Sequence, residues 1–98
     1  MKKIDHIAIV VNDIKESVAY YVDNYDCMIL HCDESWGYLQ FDNIKLALVL
    51  KDEHPPHIAF EVDEVKGKTH RDGSVSKYID DPSGNKIELI EYPNVDVE

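Results

Sequence analysis

Two cysteines, half as many basic as acidic side chains, and no apolar run long enough to cross a bilayer: these shortages frame the 98-residue chain. Each closes off a class of protein. Cys27 and Cys32 form no Cys-x-x-Cys pair and lack further Cys and His residues at the spacing of a closed zinc site. They read as reduced thiols serving as small apolar side chains, as in a cytoplasmic protein. With 20 Asp and Glu against 10 Lys and Arg, the net charge of −10 repels phosphate backbones and anionic lipid surfaces, which sets nucleic acids and membranes aside as partners. No stretch of about 18 apolar residues is present to span a membrane. The opening Met1-Lys2-Lys3-Ile4-Asp5-His6 holds an acid and a histidine where a secretion signal needs an unbroken apolar segment.

What remains is 44% hydrophobic and 31% charged residues, the balance of a soluble globular domain. A domain of this size buries only roughly two-thirds of the surface its unfolded chain exposes, so a partner subunit is a natural source of stability.

An internal repeat organises the chain. His6-Ile7-Ala8-Ile9-Val10-Val11-Asn12-Asp13-Ile14 returns as His57-Ile58-Ala59-Phe60-Glu61-Val62-Asp63-Glu64-Val65, and Asn43 to Val49 returns in its alternation as Gly84 to Ile90. In the first copy, Ile4 to Val10 reads as a strand. Asn12 or Asp13 then caps a helix running to about Asn24, with Glu16 completing a capping box after Asp13. Ile14, Val18, Tyr21 and Val22 share one face of that helix. Strands follow at Cys27 to Cys32, Gly37 to Phe41 and Ile44 to Leu50.

The linker 52–56, with Pro55-Pro56, ends this β-α-β-β-β unit. The second copy, 57–92, is about ten residues shorter. It has strands at Ile58 to Val62, near Val75 to Asp80 and at Lys86 to Glu91, room for two helical turns at most after Asp63, and one strand fewer; an acidic tail, 93–98, closes the chain. The missing pieces leave a sheet edge and less helix cover, so a homodimer that completes the sheet or the cavity is expected.

Strand alternation assigns faces. Ile7 and Ile9, then Ile58, Phe60 and Val62, then Ile87 and Leu89, form apolar sets that belong against helices. His6, His57 and Glu88 then share the opposite, concave face. Two imidazoles and one carboxylate form a ligand set for one divalent ion among Fe, Mn, Zn, Ni and Co, and leave coordination positions open for water or substrate. The repeat partner of Glu88 is Ala47, which cannot ligate, so three protein ligands are expected. Trp36, Tyr38 and Gln40 share a face of the third strand and are candidates for lining a substrate cavity. His31 and Glu61 are further inward-facing candidates, and Glu61 could serve as a base.

Ile4-Asp5-His6-Ile7-Ala8, His57-Ile58-Ala59-Phe60-Glu61-Val62-Asp63 and Asp81-Pro82-Ser83-Gly84-Asn85-Lys86-Ile87-Glu88-Leu89 together resemble the vicinal oxygen chelate superfamily. That superfamily includes glyoxalase I, methylmalonyl-CoA epimerase, extradiol dioxygenases, fosfomycin-resistance proteins and bleomycin-binding proteins. The resemblance implies an α+β fold of paired βαβββ modules, here with the second module shortened, forming a U-shaped mixed sheet around a cavity. It places metal ligands on the first and last strands of each module, where His6, His57 and Glu88 match three of four positions and Ala47 departs at the fourth.

Tyr78-Ile79-Asp80-Asp81-Pro82-Ser83-Gly84-Asn85-Lys86-Ile87-Glu88 with His70 upstream resembles the dioxygenase ending, though Lys68 and Lys77 depart from it. Tyr78 and His70 would there orient substrate or move a proton. The basic residues of the fosfomycin branch are not visible after Glu88. The implied function is a metal-dependent enzyme acting on a small oxygen-rich substrate; the alternative is a non-catalytic binding protein that sequesters a small molecule.

Overall fold

The computed structural model describes residues 1–93, so the expected tail lies, past Pro93, outside the described residues. Its elements are β1 (Lys3–Val11), α1 (Ile14–Tyr25), β2 (Met28–Cys32), β3 (Trp36–Gln40), β4 (Lys45–Leu50), β5 (His57–Glu61), β6 (Lys68–Thr69), β7 (Val75–Asp80) and β8 (Lys86–Glu91). All eight strands join one mixed sheet in the order β2-β3-β4-β1-β5-β8-β7-β6. Within each module the first and last strands run parallel, β1 with β4 and β5 with β8, and the modules meet antiparallel at β1 and β5.

The repeat is kept residue by residue. Ala8 pairs with Ala47 and Ala59 with Glu88, each two positions after its module's histidine, so Ala47 and Glu88 are symmetry mates. Tyr38 sits opposite Ala47 and Tyr78 opposite Glu88. His6 faces Ala59 while Ala8 faces His57, which puts the pseudo-two-fold axis at the Ile7–Ile58 pair.

Local chemistry explains the first module. Asp13 is the N-cap of α1, and its carboxylate accepts a hydrogen bond of 3.0 Å from the Glu16 amide, satisfying one of the donors a helix start leaves free. Asp26 ends the helix in a left-handed conformation at φ 49°. Ile14 and Val18 bury against Leu39 and Leu48 to make the main core. Helix and sheet approach closely because β3 carries Gly37 there: a Cβ at that position would lie 3.0 Å from a methyl of Val18.

The second module differs from the sequence expectation in three ways. The strand thought absent is present as the two-residue β6, paired with β7. No helix follows β5 among the described residues. The segment instead leads into β6 at the sheet edge beside β7, so close that a Cβ at Gly67 would collide with the Ser76 carbonyl. As a result the second module's apolar set expected to face a helix has none over it: Ile58 is exposed, and Phe60, Val62, Ile87 and Leu89 are only half-buried.

Candidate metal centre

His6, Glu88 and His57 come from three neighbouring strands, β1, β8 and β5, and all three are buried. Their ligand atoms lie within 4.8 Å of one another. Glu88 Oε1 is 3.1 Å from His6 Nε2 and 3.3 Å from His57 Nε2. Ligand atoms about 2.1 Å from one ion and at right angles to each other lie about 3.0 Å apart, so this spacing suits a facial site.

The opposite ring nitrogens are engaged. His6 Nδ1 is 2.8 Å from Asp5 Oδ2, and His57 Nδ1 is 2.8 Å from the Pro55 carbonyl oxygen. Each acceptor takes an Nδ1 proton, so Nε2 is the nitrogen each ring can offer to a cation, once the cation displaces any proton shared there with Glu88, and both ring planes are fixed. The residues present therefore fit a divalent metal by donor type, spacing and tautomer, and the chain carries a buried His-His-Glu cluster capable of coordinating one.

Charge reinforces the fit. Burial would raise the Glu88 carboxyl, but hydrogen bonds from His57, His6 and Ser76 outweigh it and hold the group well below the usual carboxylate range. Asp5 behaves alike: burial is overcome by hydrogen bonds from His6, Tyr92 and Lys45. Burial alone would lower the His6 proton affinity, yet Asp5 and Glu88 on either side raise it. Two carboxylates that favour a proton at this imidazole favour a metal cation there equally.

Asp5 owes its position to an irregularity. Register shifts between Ile4 and His6 in the β1–β5 pairing, so strict alternation fails and two consecutive side chains serve the same site. Beyond His6, Asp5 accepts 2.7 Å from the Tyr92 hydroxyl and 3.0 Å from Lys45. Burial, then the hydrogen bond to Asp5, pushes the Tyr92 hydroxyl strongly up. Sequence reasoning missed Asp5, Lys45, Tyr92 and the Pro55 carbonyl. Only the adjacency of Asp5 to His6 was there to notice, and alternation argued against it.

A run of aromatic rings crosses the concave face. His31 stacks on Trp36 at 4.4 Å; Trp36 meets Tyr38 at 5.4 Å, Tyr38 meets His6 at 5.6 Å, His6 meets His57 at 5.5 Å, and His57 meets Tyr78 at 5.1 Å. The symmetry mates Tyr38 and Tyr78 thus each place an edge against their own module's histidine. Burial, then the charge of Glu88, pushes the Tyr78 hydroxyl up to about 12. Burial and Asp5 raise Tyr38.

The other candidates are placed as follows. Trp36 and Tyr38 flank the metal residues, while the Gln40 amide donates to the Phe41 carbonyl and lines a cavity of about 540 Å³ with Asp5, Lys45 and Glu61. Glu61 also lines a neighbouring cavity of about 520 Å³ with Lys2, Lys3 and Tyr92, away from the His-His-Glu cluster. His70 reaches the cluster only through Ser76: its Nε2 shares a 2.6 Å hydrogen bond with the buried Ser76 hydroxyl, which also serves Glu88. His31 is bound to Asp33 at 2.9 Å.

No family model matches the chain, and no curated protein matches it in sequence. Solved structures do. A hypothetical protein from Bacillus halodurans C-125 superposes with a TM-score of 0.77 at 18% identity, over 99% of either chain. A variant of the Streptomyces coelicolor methylmalonyl-CoA epimerase, in complex with 2-nitronate-propionyl-CoA, gives 0.76 at 17% identity over 100% of this chain and 99% of that one. The Mycobacterium tuberculosis methylmalonyl-CoA epimerase gives 0.72 at 18% identity, covering 93% and 88%. At such identities the likeness is one of fold. The chain has the same paired-module, open mixed-sheet fold as these epimerase structures.

Proposed function

We propose that this protein is a metal-dependent enzyme whose His6, His57 and Glu88 hold one divalent cation, and that a small oxygen-rich substrate reaches that cation through its open positions. The convergence of two tautomer-fixed Nε2 atoms and one carboxylate oxygen carries the reading. The bound cation would supply Lewis acidity to substrate oxygens.

The chain's own side chains do the rest. Tyr78, protonated throughout the neutral range, stands opposite Glu88 and donates a hydrogen bond to an oxygen that gains negative charge. Tyr38 offers a second phenol on the other side of His6. Trp36 and His31 extend a flat wall that excludes water and orients a planar or extended ligand. His70 and Ser76 steady Glu88 from behind. Glu61 serves the cavity it lines with Lys2 and Lys3, whose walls include none of His6, His57 and Glu88.

Three protein ligands support a site with more open positions than a four-ligand one, which favours bidentate substrate capture. The epimerase structures that share the fold support chemistry at a carbon next to a carbonyl; the Tyr78–Glu88 pairing supports the dioxygenase reading. Two measurements separate these readings. Elemental analysis of protein purified without chelator should find close to one metal per chain, lost in His6→Ala and His57→Ala; wild type without metal ends the enzyme reading and leaves small-molecule sequestration. Oxygen uptake with catechols by the iron-loaded protein supports dioxygenation, whereas solvent-deuterium exchange into an acyl thioester with no oxygen uptake supports proton transfer.

A further inference from the structure

At the end of the sheet where β1 and β4 begin and β3 and β5 finish lies a cavity of about 540 Å³. Lys2, Lys3 and Lys45 line it together with the amides of Gln40 and Asn43. The chain has 10 basic side chains against 20 acidic ones, so three lysines around one opening reverse the sign of charge that prevails elsewhere. Two carboxylates share the wall, Asp5 and Glu61. Asp5 is already engaged by Tyr92, Lys45 and His6. Glu61 stands opposite Lys3 in the β1–β5 ladder.

Lys45 is the lysine that the fold holds in place. It is the cross-strand partner of His6, and its Nζ lies 5.4 Å from the ring centres of both Tyr38 and Tyr92. Two aromatic faces and one carboxylate fix the ammonium, so an arriving anion has little left to order. Burial works against the charge of Lys45, and the hydrogen bond to Asp5 outweighs burial, so the group stays cationic. From a cation on His6 Nε2, a path runs through the imidazole to Asp5 at 2.8 Å, across that carboxylate, and on to Lys45 Nζ at 3.0 Å. With a metal–nitrogen bond of about 2.1 Å and about 2.2 Å across each of the two groups, the ammonium is at most about 12 Å from the cation. One small molecule spans that gap.

We propose that this cavity binds an oxyanion, a carboxylate or a phosphate, at the far end of the molecule whose other oxygens reach the metal, with Lys45 as its fixed contact and Lys2 and Lys3 as its outer ones. The link to the metal rests on the function proposed above; the anion site itself does not. Glu61 limits the affinity, because a negative charge on the wall opposes an incoming anion.

Titration of chelator-treated protein at constant ionic strength, followed by amide NMR, tests the anion site without metal. Inorganic phosphate should bind saturably with a dissociation constant on the order of 1 mM and shift the amides around Lys3, Lys45 and Asn43. Lys45→Gln should weaken it by roughly 10-fold, the loss of one charge-assisted contact. Lys2→Gln and Lys3→Gln, made together, should weaken it by at least about 3-fold, and serve if Lys45→Gln fails to fold. Glu61→Gln should tighten it. Acetate titrated in parallel separates the two oxyanions, the tighter binder naming the group on the substrate. With metal-loaded protein, 2-oxoadipate carries both a chelating keto acid and a far carboxylate, and should bind on the order of 10-fold tighter than 2-oxohexanoate; the double lysine change should erase that preference. No saturable binding of phosphate or acetate up to about 50 mM overturns the proposal. So does binding that neither lysine change weakens, or equal affinity of the metal-loaded protein for the two oxo acids. Lysine-dependent anion binding by a chain that takes up no metal upholds the anion site and defeats the metal reading instead.

Discussion

Leu39 and Ile79 are symmetry mates, on β3 and β7, in the same cross-strand row on the same side of the sheet. Leu39 is 0% exposed and Ile79 is 40% exposed. The row runs Leu39, Leu46, Ile7, Ile58, Ile87, Ile79 through the pseudo-two-fold axis; Leu39 and Leu46 pack under α1, Ile87 is half-buried, and Ile7, Ile58 and Ile79 are exposed. On the concave side the contrast reverses: the first module contributes His6 and the silent Ala47, while the module that lost its helix contributes His57 and Glu88. Strand register, not helix cover, places the ligands. A module can shed its helix and keep its half of the metal centre.

The sharpest way to break this comparison is to truncate mates. Leu39→Ala in the covered half should cost about 3 kcal/mol in chemical denaturation, because a buried leucine leaves a cavity. Ile79→Ala should cost less than about 1 kcal/mol at concentrations where the chain is monomeric. Equal losses would mean that the outer row is packed in both halves.

Next in size is the support behind each histidine. His6 leans on a side chain and His57 on a backbone carbonyl, so only the first can be removed by substitution. Asp5→Asn should weaken divalent metal binding by roughly 10-fold or more in titration calorimetry. Unchanged affinity would show that the 2.8 Å contact does not set the tautomer.

Acidity probes the same asymmetry. Asp5 and Glu88 raise His6 above its ordinary 6.5, so protons compete with metal there from above that pH downward, and affinity should begin to fall before an ordinary imidazole would titrate. In chelated protein the sign is opposite: the protonated His6 contributes stability that is full below 6.5 and lost as pH rises through its raised value. Glu88 and Asp5, depressed from 4.5 and 3.8, contribute stability present above those values and lost as pH falls toward their lowered ones. Melting curves of chelated and metal-loaded protein should therefore separate more at alkaline than at mildly acid pH; a gap that narrows with rising pH contradicts the assignment.

The smallest effect belongs to the tyrosines. Tyr78→Phe should change stability by no more than about 0.5 kcal/mol, since Tyr78 is 40% exposed. In an alkaline absorbance titration it should remove a tyrosinate transition near pH 12. Loss of a transition near pH 10 instead would place Tyr78 in open water.

Much of the molecule was readable from the chain because a repeat supplies its own cross-check. His6 and His57 recur in one sequence context, and alternation then puts both on the face that Glu88 shares; Ala47 follows as the empty fourth corner. The Asp13–Glu16 cap and the strands flanking it follow from local chemistry. Other features needed distant partners. A two-residue strand such as Lys68–Thr69 has no periodicity to detect and exists only because β7 offers free ladder positions. His70, a candidate for direct contact with substrate, instead meets the cluster only through the Ser76 hydroxyl.

By itself, then, the sequence determined the two-module plan, the three residues of the candidate metal cluster and the face they share, since period-two alternation and the repeat are local properties of the chain. The tertiary structure alone decided that a bulge turns Asp5 toward His6, that Pro55 and Asp5 direct both Nε2 atoms to one carboxylate oxygen, and that the second module's outer row stays bare. Those outcomes depend on pairing register and on which element covers which face, and both are set only when strands far apart in the chain meet.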